Sequence, residues 1–324
     1  GTITITPGTA AAWSVDWTSA TSPVTAGDDF GITVTAHDAD GNVATGFTGS
    51  QAIAFAWNGA TTAPDATTTP KELADASYTF SAGVYTSPAT AFALYNDADT
   101  AAYVAVTGSG LTANNTSTLA VDPAAADHYN IVANDGTSQV AGVGFDIQIQ
   151  ALDPYDNIDT NFADLSLTFS WSNTTSSALQ SETGDVPASA TRDFVNGVWT
   201  PTTNDFVLYN EADSNATINI DNSFGGSLGG FSASHNTTVS HVYIHNTNAS
   251  DQAHTSEMTT DTLTADDTLQ VWSHGYDAWG NWISLVNVDW SGTGALSGDV
   301  SPTSASNTTT CLLYTSPSPR DSSK

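Results

Sequence analysis

One stretch occurs three times in this chain of 324 residues, and it limits the fold more than any other feature. Ala26 to Asn42 reads AGDDFGITVTAHDADGN, Ala141 to Asn157 reads AGVGFDIQIQALDPYDN, and Ala265 to Asn281 reads ADDTLQVWSHGYDAWGN. Each copy is an alternating segment that runs into a turn of the form Asp-x-x-(Asp/Gly)-Asn. In the first copy Phe30, Ile32, Val34 and Ala36 fall at period two, with polar residues between them. Period two puts the apolar set on one face of a strand, the pattern of a half-buried antiparallel strand.

The copies keep step over a long interval. Asp38 and Asp153 are 115 residues apart, and Asp153 and Asp277 are 124 apart. Further landmarks follow in the same order. Ile53-Ala54-Phe55-Ala56-Trp57 matches Leu167-Thr168-Phe169-Ser170-Trp171. Gly83-Val84-Tyr85-Thr86 matches Gly197-Val198-Trp199-Thr200. Phe92 to Asp99, FALYNDAD, matches Phe206 to Asp213, FVLYNEAD. A period near 115 is too long for a solenoid unit and fits a whole small domain.

This sets the expected organisation. Residues 1–8 read as the last strand and linker of a preceding, truncated repeat. Residues 9–123 and 124–240 form two complete domains, and 241–310 an incomplete third. Within the first, strands are expected at 52–57, 83–95, 101–107 and 117–122, separated by Asn, Asp, Gly and Pro clusters. No segment has a helical period; Lys71 to Asp75 allows one turn at most. About seven short strands in roughly 115 residues predict an all-β fold of tandem immunoglobulin-like sandwiches with antiparallel Greek-key sheets.

Charge narrows the function. Lys and Arg total 4 against 34 Asp and Glu, a formal charge of −30, and Glu occurs only at positions 72, 182, 211 and 257. Such a chain repels nucleic acid and anionic membranes. It suits divalent cations, or high salt that screens its self-repulsion. A single Cys, Cys311, rules out an internal disulfide. No apolar run approaches the ~18 residues of a membrane span.

The Asp turns suggest calcium, because hard oxygens at alternate positions open many calcium loops. The candidates are Asp38, Asp40 and Asn42, then Asp153, Asp156 and Asn157, with Asp277 and Asn281 in the third copy. Asp97 and Asp99, in the loop matched by Asn210 to Asp213, form a second set. Ions bound there would stiffen the array if these loops lie at domain junctions. The competing reading is a strand-connecting turn in which Asp and Asn cap their own backbone.

Other motifs carry less. Gly225-Gly226-Ser227-Leu228-Gly229 matches a nucleophile-elbow pattern, but that motif needs a strand-to-helix turn and this one sits in a hairpin loop. His241 and His245 lie about 13 Å apart on one face of a predicted strand, too far for one zinc ion, and read as surface or interface residues. Leu269, Val271 and Ser273 are expected to face inward, with Trp272 and His274 opposite, and Val286, Val288 and Trp290 to form the next strand. Trp272, Trp279 and Trp282 form a possible sugar platform, set against packing at a core or junction. With so many acids, no carboxylate pair can be singled out for glycoside hydrolysis.

The runs AGDDFGITVTAHDADGNVATGFTG and LTADDTLQVWSHGYDAWGNWISLVNVDW resemble the tandem bacterial Ig-like repeats of large surface and secreted proteins, the invasin/intimin-type and filamin-like repeats. The resemblance covers residues 9–310. It implies extracellular stalks, adhesins and spacers, and brings no catalytic residues. Residues 311–321, CLLYTSPSPRD, resemble a translated sequencing adapter, so 311–324 is expected to be a disordered artefact. The reading is therefore a non-catalytic stalk or adhesin segment, extracellular or at the cell surface. Its partner would be an unknown surface receptor, a glycan or neighbouring repeats, with no nucleic acid and no membrane insertion, and Ca2+ as a possible cofactor. Two alternatives stand beside it: accessory or carbohydrate-binding spacer modules of a secreted polysaccharide-active enzyme, and a salt-adapted surface-layer component.

Overall fold

Period-two alternation becomes sheet throughout the computed structural model, which describes residues 5–163, 165–222, 224–250, 257–258, 261, 268–291, 300–301 and 306–312. The regular elements are all strands. In the first repeat, Ala12–Trp17, Ile32–His37 and Val84–Thr86 make one antiparallel sheet, with Ile32–His37 central. A second sheet has the order Asn114–Asn115, Tyr103–Gly108, Gly49–Asn58, Ala76–Phe80. The apolar stripe Phe30, Ile32, Val34, Ala36 is buried together with Ile53, Phe55, Val104 and Val106 from the other sheet. Trp13 packs between Phe47 and Phe80, at 5.5 Å from each ring. Burying each such side chain contributes roughly 1.5–3 kcal/mol, which is what two half-apolar sheets gain by closing on each other.

The second repeat keeps the register of the central pairings, although its edge strands are arranged differently. Trp57 faces Val104 and Trp171 faces Ile218; Val34 faces Tyr85 and Ile149 faces Trp199. Its sheets are His128–Ala133, Ile147–Leu152, Val198–Trp199, and Ser138–Val140, Ser227–Ser234, Ala216–Ile220, Phe169–Ser172. Not every pairing is antiparallel. Val121–Asp122 runs parallel to Val24–Thr25, and Ser227–Ser234 parallel to Ser138–Val140.

The expected strand at 83–95 is broken into Val84–Thr86 and Phe92–Ala93, and Lys71 bridges Ala93 instead of starting a helical turn. In the third repeat, Thr268–Tyr276 is flanked by His241–His245 on one side and by Thr308–Leu312 and Trp282–Leu285. The strand after the turn is thus Trp282–Leu285, with Val288 in a single bridge to Ser306. Cys311 and Leu312, the first residues of the adapter-like tail, belong to the backbone of the strand Thr308–Leu312, and 313–324 lies outside the described residues.

Close packing divides the chain into two units. One comprises Gly1–Asn130, Ile149–Leu165 and Arg192–Trp199; the other comprises Ile131–Gln148, Ser166–Thr191 and Thr200–Lys324. The first contains the whole first sandwich and the turn Asp153 to Asn157. The second contains an aromatic cluster of Phe145, Trp171, Phe206 and Phe231, together with the turn Asp277 to Asn281. No helix among the described residues is long and apolar enough to cross a membrane.

Candidate functional site

The three Asp turns are built alike, by hydrogen bonds that the sequence places within reach. Asp38 Oδ1 accepts the backbone N–H groups of Asp40 at 3.0 Å and Asn42 at 2.8 Å. Asp153 Oδ1 accepts those of Tyr155 and Asn157 at 2.8 and 3.0 Å, and Asp277 Oδ1 those of Trp279 and Asn281 at 2.9 and 3.0 Å. The other oxygen, Oδ2, accepts the Asn side-chain N–H and a backbone N–H from the linker: Gly8 at 2.8 Å, Ala124 at 2.9 Å and Asn236 at 3.0 Å. The Gly8 N–H, followed by that of Asn42, holds the Asp38 carboxyl below its ordinary value.

The fourth residue of the turn takes a positive φ. Gly supplies it at Gly41 (84°) and Gly280 (93°), whereas Asp156 adopts it (67°) with a side chain attached. Asp156 is also contacted by His128 Nε2 at 3.1 Å, and His128 Nδ1 in turn meets Asp127.

In the second and third copies, the Asn that ends the turn reaches into the preceding repeat. Asn157 Nδ2 donates to the carbonyl of Tyr95 at 2.8 Å, and Asn157 Oδ1 accepts the backbone N–H of Asp97 at 3.0 Å. Asn281 repeats both bonds, with Tyr209 at 2.9 Å and Glu211 at 2.9 Å. A third bond also recurs: Asp65 N–H donates to the Tyr155 carbonyl at 3.1 Å, and Leu179 N–H to the Trp279 carbonyl at 3.2 Å. Each of these junctions lies inside one of the two units.

An aromatic ring seats each junction. Tyr155 lies 4.9 Å from Tyr95, and Trp279 lies 5.6 Å from Tyr209, ring centre to ring centre. Both rings cover a glycine of the preceding repeat. A Cβ on Gly27 would fall 2.3 Å from the Tyr155 hydroxyl, and one on Gly142 would fall 1.8 Å from the Trp279 ring. The ring is a knob and the glycine its hole.

The receiving loop is held just as regularly. Asp99 is buried and accepts the Thr61 N–H at 3.1 Å and the Thr61 hydroxyl at 2.7 Å. Asp213 accepts the same pair from Thr175, at 2.8 and 2.7 Å. Burial raises the Asp213 carboxyl above its ordinary value. Asp97 is raised as well, by burial first and by the charge of Asp153 second. A cavity of about 690 Å³ opens beside the first junction, with Asp97, His128, Asp156 and Asn157 on its wall.

For the calcium candidates this geometry has a direct chemical meaning. N–H donors occupy the oxygens of Asp38, Asp153, Asp277 and Asp99 that a cation would need, and Asp40 stays exposed. Among the described residues no three His, Cys, Asp or Glu side chains gather as a metal site. The second and third turns do lie at junctions, where hydrogen bonds and ring packing join them to the preceding repeat.

Several other expectations change. His245 is wholly buried and shares a hydrogen bond with the Tyr276 hydroxyl at 3.0 Å, so it is a core residue and not a surface one. His274 is buried too, stacked on His245 at 4.2 Å, because the end of its strand, Ser273 to Tyr276, is buried on both faces. Trp279 is a junction knob and Trp282 lies 6.3 Å from His274, so the three Trp side chains do not form one open platform. Ser227 opens the exposed start of the strand Ser227–Ser234, with no helix after it and hence no elbow.

No family model matches the sequence, and no curated protein does. Among solved structures the chain is similar to FdeC, an Escherichia coli adhesin, at 18% identity over 96% of this chain and 91% of that one, with a TM-score of 0.37. It is similar to invasin, a bacterial integrin-binding protein, at 13% identity over 94% of this chain and 55% of that one, with a TM-score of 0.34. InvE, a Yersinia pseudotuberculosis adhesin, gives 16% identity over 81% and 66%, with a TM-score of 0.26. The chain therefore spans about half of the invasin structure it matches. The assignment as Ig-like sandwiches rests on the strand pairing itself.

Proposed function

We propose that this chain is a non-catalytic segment of a large extracellular surface protein, a stalk or adhesin made of Ig-like repeats bounded at 9–123, 124–240 and 241–310. One observation carries the reading: two successive junctions use the same bonds at the same positions. Asn157 and Asn281 each hold a Tyr carbonyl and an acid's backbone N–H of the repeat before. A junction specified twice in this detail is a device for holding neighbours in a set order, which a reaching or spacing protein needs and a lone binding module does not. The acidity of the chain suits exposure to saline water. Its partner in this reading is a receptor on another surface.

Antibody raised against this chain tests the location. Cells producing the intact protein are expected to label without permeabilisation; labelling only after lysis would overturn the reading. Pulling the chain from its ends tests the architecture. Complete repeats should unfold one at a time, each releasing roughly 40 nm of chain, from about 3.5 Å per residue. A single release of the whole length would contradict independent repeats.

A further inference from the structure

We infer that the turn of the first repeat is the open half of a further junction, and that its partner is the Tyr-Asn-(Asp/Glu)-Ala-Asp loop of another repeat. The inference rests on the array reading above and adds the residues that do the recognising.

The first turn is fully formed. Asp38 accepts the N–H groups of Asp40, Asn42 and Gly8, as Asp153 and Asp277 accept their counterparts. Gly8 thus stands where Ala124 and Asn236 stand. What differs is the covering. Asn157 and Asn281 are 1% and 2% exposed, but Asn42 is open to solvent. Among the described residues no loop offers Asn42 the N–H and carbonyl that its two counterparts hold.

A second observation is independent of the turn. Three residues before Ala124, Val121 pairs in parallel with Val24 and is 4% exposed. Three residues before Gly8, Ile5 is 90% exposed. It occupies the place of a core residue and has no core around it. A repeat packed on this turn would cover both the Asn and the Ile.

A second copy of this chain cannot supply the partner. Its two loops of this kind, at 95–99 and 209–213, are already held by Asn157 and Asn281. The knob also sets a limit on the partner. Tyr155 and Trp279 need Gly27 and Gly142 beneath them, whereas the first turn presents Asp40 at that position. A carboxylate brings no ring to seat, so the partner can carry a side chain in place of the glycine, and a hydrogen-bond donor suits it best.

The test begins with the coding sequence that leads into Gly8. Tyr95 lies 29 residues before Ala124 and Tyr209 lies 27 before Asn236, so a Tyr-Asn-(Asp/Glu)-Ala-Asp run is expected 27 to 29 residues before Gly8. The chain is then produced with that repeat attached, with and without Asn42→Ala. In the extended protein Asn42→Ala should lower the melting temperature by as much as Asn157→Ala; in the chain as it stands the shift should be far smaller. A β-sandwich repeat lacking the motif overturns this inference and leaves the array standing. So does a motif that leaves Asn42→Ala equally mild in both proteins. A segment that is not a β-sandwich overturns both.

Discussion

The side-chain amide of Asn157 donates to the carbonyl oxygen of Tyr95 at 2.8 Å, across 62 residues of chain. With its oxygen on the Asp97 N–H, that one side chain fills a donor and an acceptor of the preceding repeat at once. Backbone groups buried in this way are costly to leave unpaired, so the junction is specified by an amide and not by area alone.

The knob and hole should be energetically coupled. Gly142→Ala puts a methyl into the Trp279 ring and is expected to cost roughly 1–3 kcal/mol by overpacking. In a Trp279→Ala background the clash disappears. What remains is the positive φ of 72° at position 142, worth about 1 kcal/mol. Chemical denaturation of the wild type, both single variants and the double variant should therefore give a clear interaction energy. Additive costs would place the ring elsewhere.

Mild acid should stabilise the first junction. Burial and Asp153 hold the Asp97 carboxyl above its ordinary value of 3.8. The folded state thus binds that proton more tightly, and stability rises as pH falls through the raised value towards 3.8. Asp38 and Asp65 act in the opposite sense. The Thr68 hydroxyl and the backbone N–H groups of Thr68 and Thr67 hold Asp65 at about 2, and Asp38 is also depressed. Their contributions are complete above 3.8 and are lost as pH falls towards their folded values. Denaturation midpoints measured against pH should show the mild-acid gain in the wild type and a smaller gain in Asp97→Asn. Identical profiles would remove Asp97 from the account.

Calcium should leave the melting temperature where sodium at the same ionic strength leaves it. The carboxylates of Asp38, Asp153 and Asp277 are each met by backbone and Asn N–H groups, and a cation would have to displace those donors. A calcium-specific rise, reversed by chelator, would show that the oxygens turn outwards.

The sheets were legible because burial on one face writes itself as alternation. Phe30, Ile32, Val34 and Ala36 are buried as their spacing implies. His274 misled for the converse reason: its strand is buried on both faces from Ser273 to Tyr276, and alternation carries no information there. His245 misled differently: its strand does alternate, but with Val242 and Ile244 outward and the histidine inward. The Asp turns were found, but the hydrogen bonds that build them were not. Residue types show that oxygen is present; they do not show which N–H groups converge on it. A signal for the junction was nevertheless in the sequence. Glycine stands at Gly27 and Gly142 in the first two copies, and an aromatic stands at Tyr155 and Trp279 in the last two. The hole of one copy is offset by one repeat from the knob of the next, so comparing copies position by position misses it, and comparing each copy with its successor finds it.

The most direct test compares one substitution at three places in the whole chain. Asn157→Ala and Asn281→Ala each remove the clamp and leave a Tyr carbonyl and an acid N–H unpaired, at an expected cost of about 1–3 kcal/mol. Asn42→Ala removes only bonds within its own turn and should cost well under half as much. Denaturant midpoints with this ranking are what a hydrogen-bonded junction predicts. If Asn42→Ala proves as costly as the other two, the Asn side chains serve their turns alone, and the junction is held by something else.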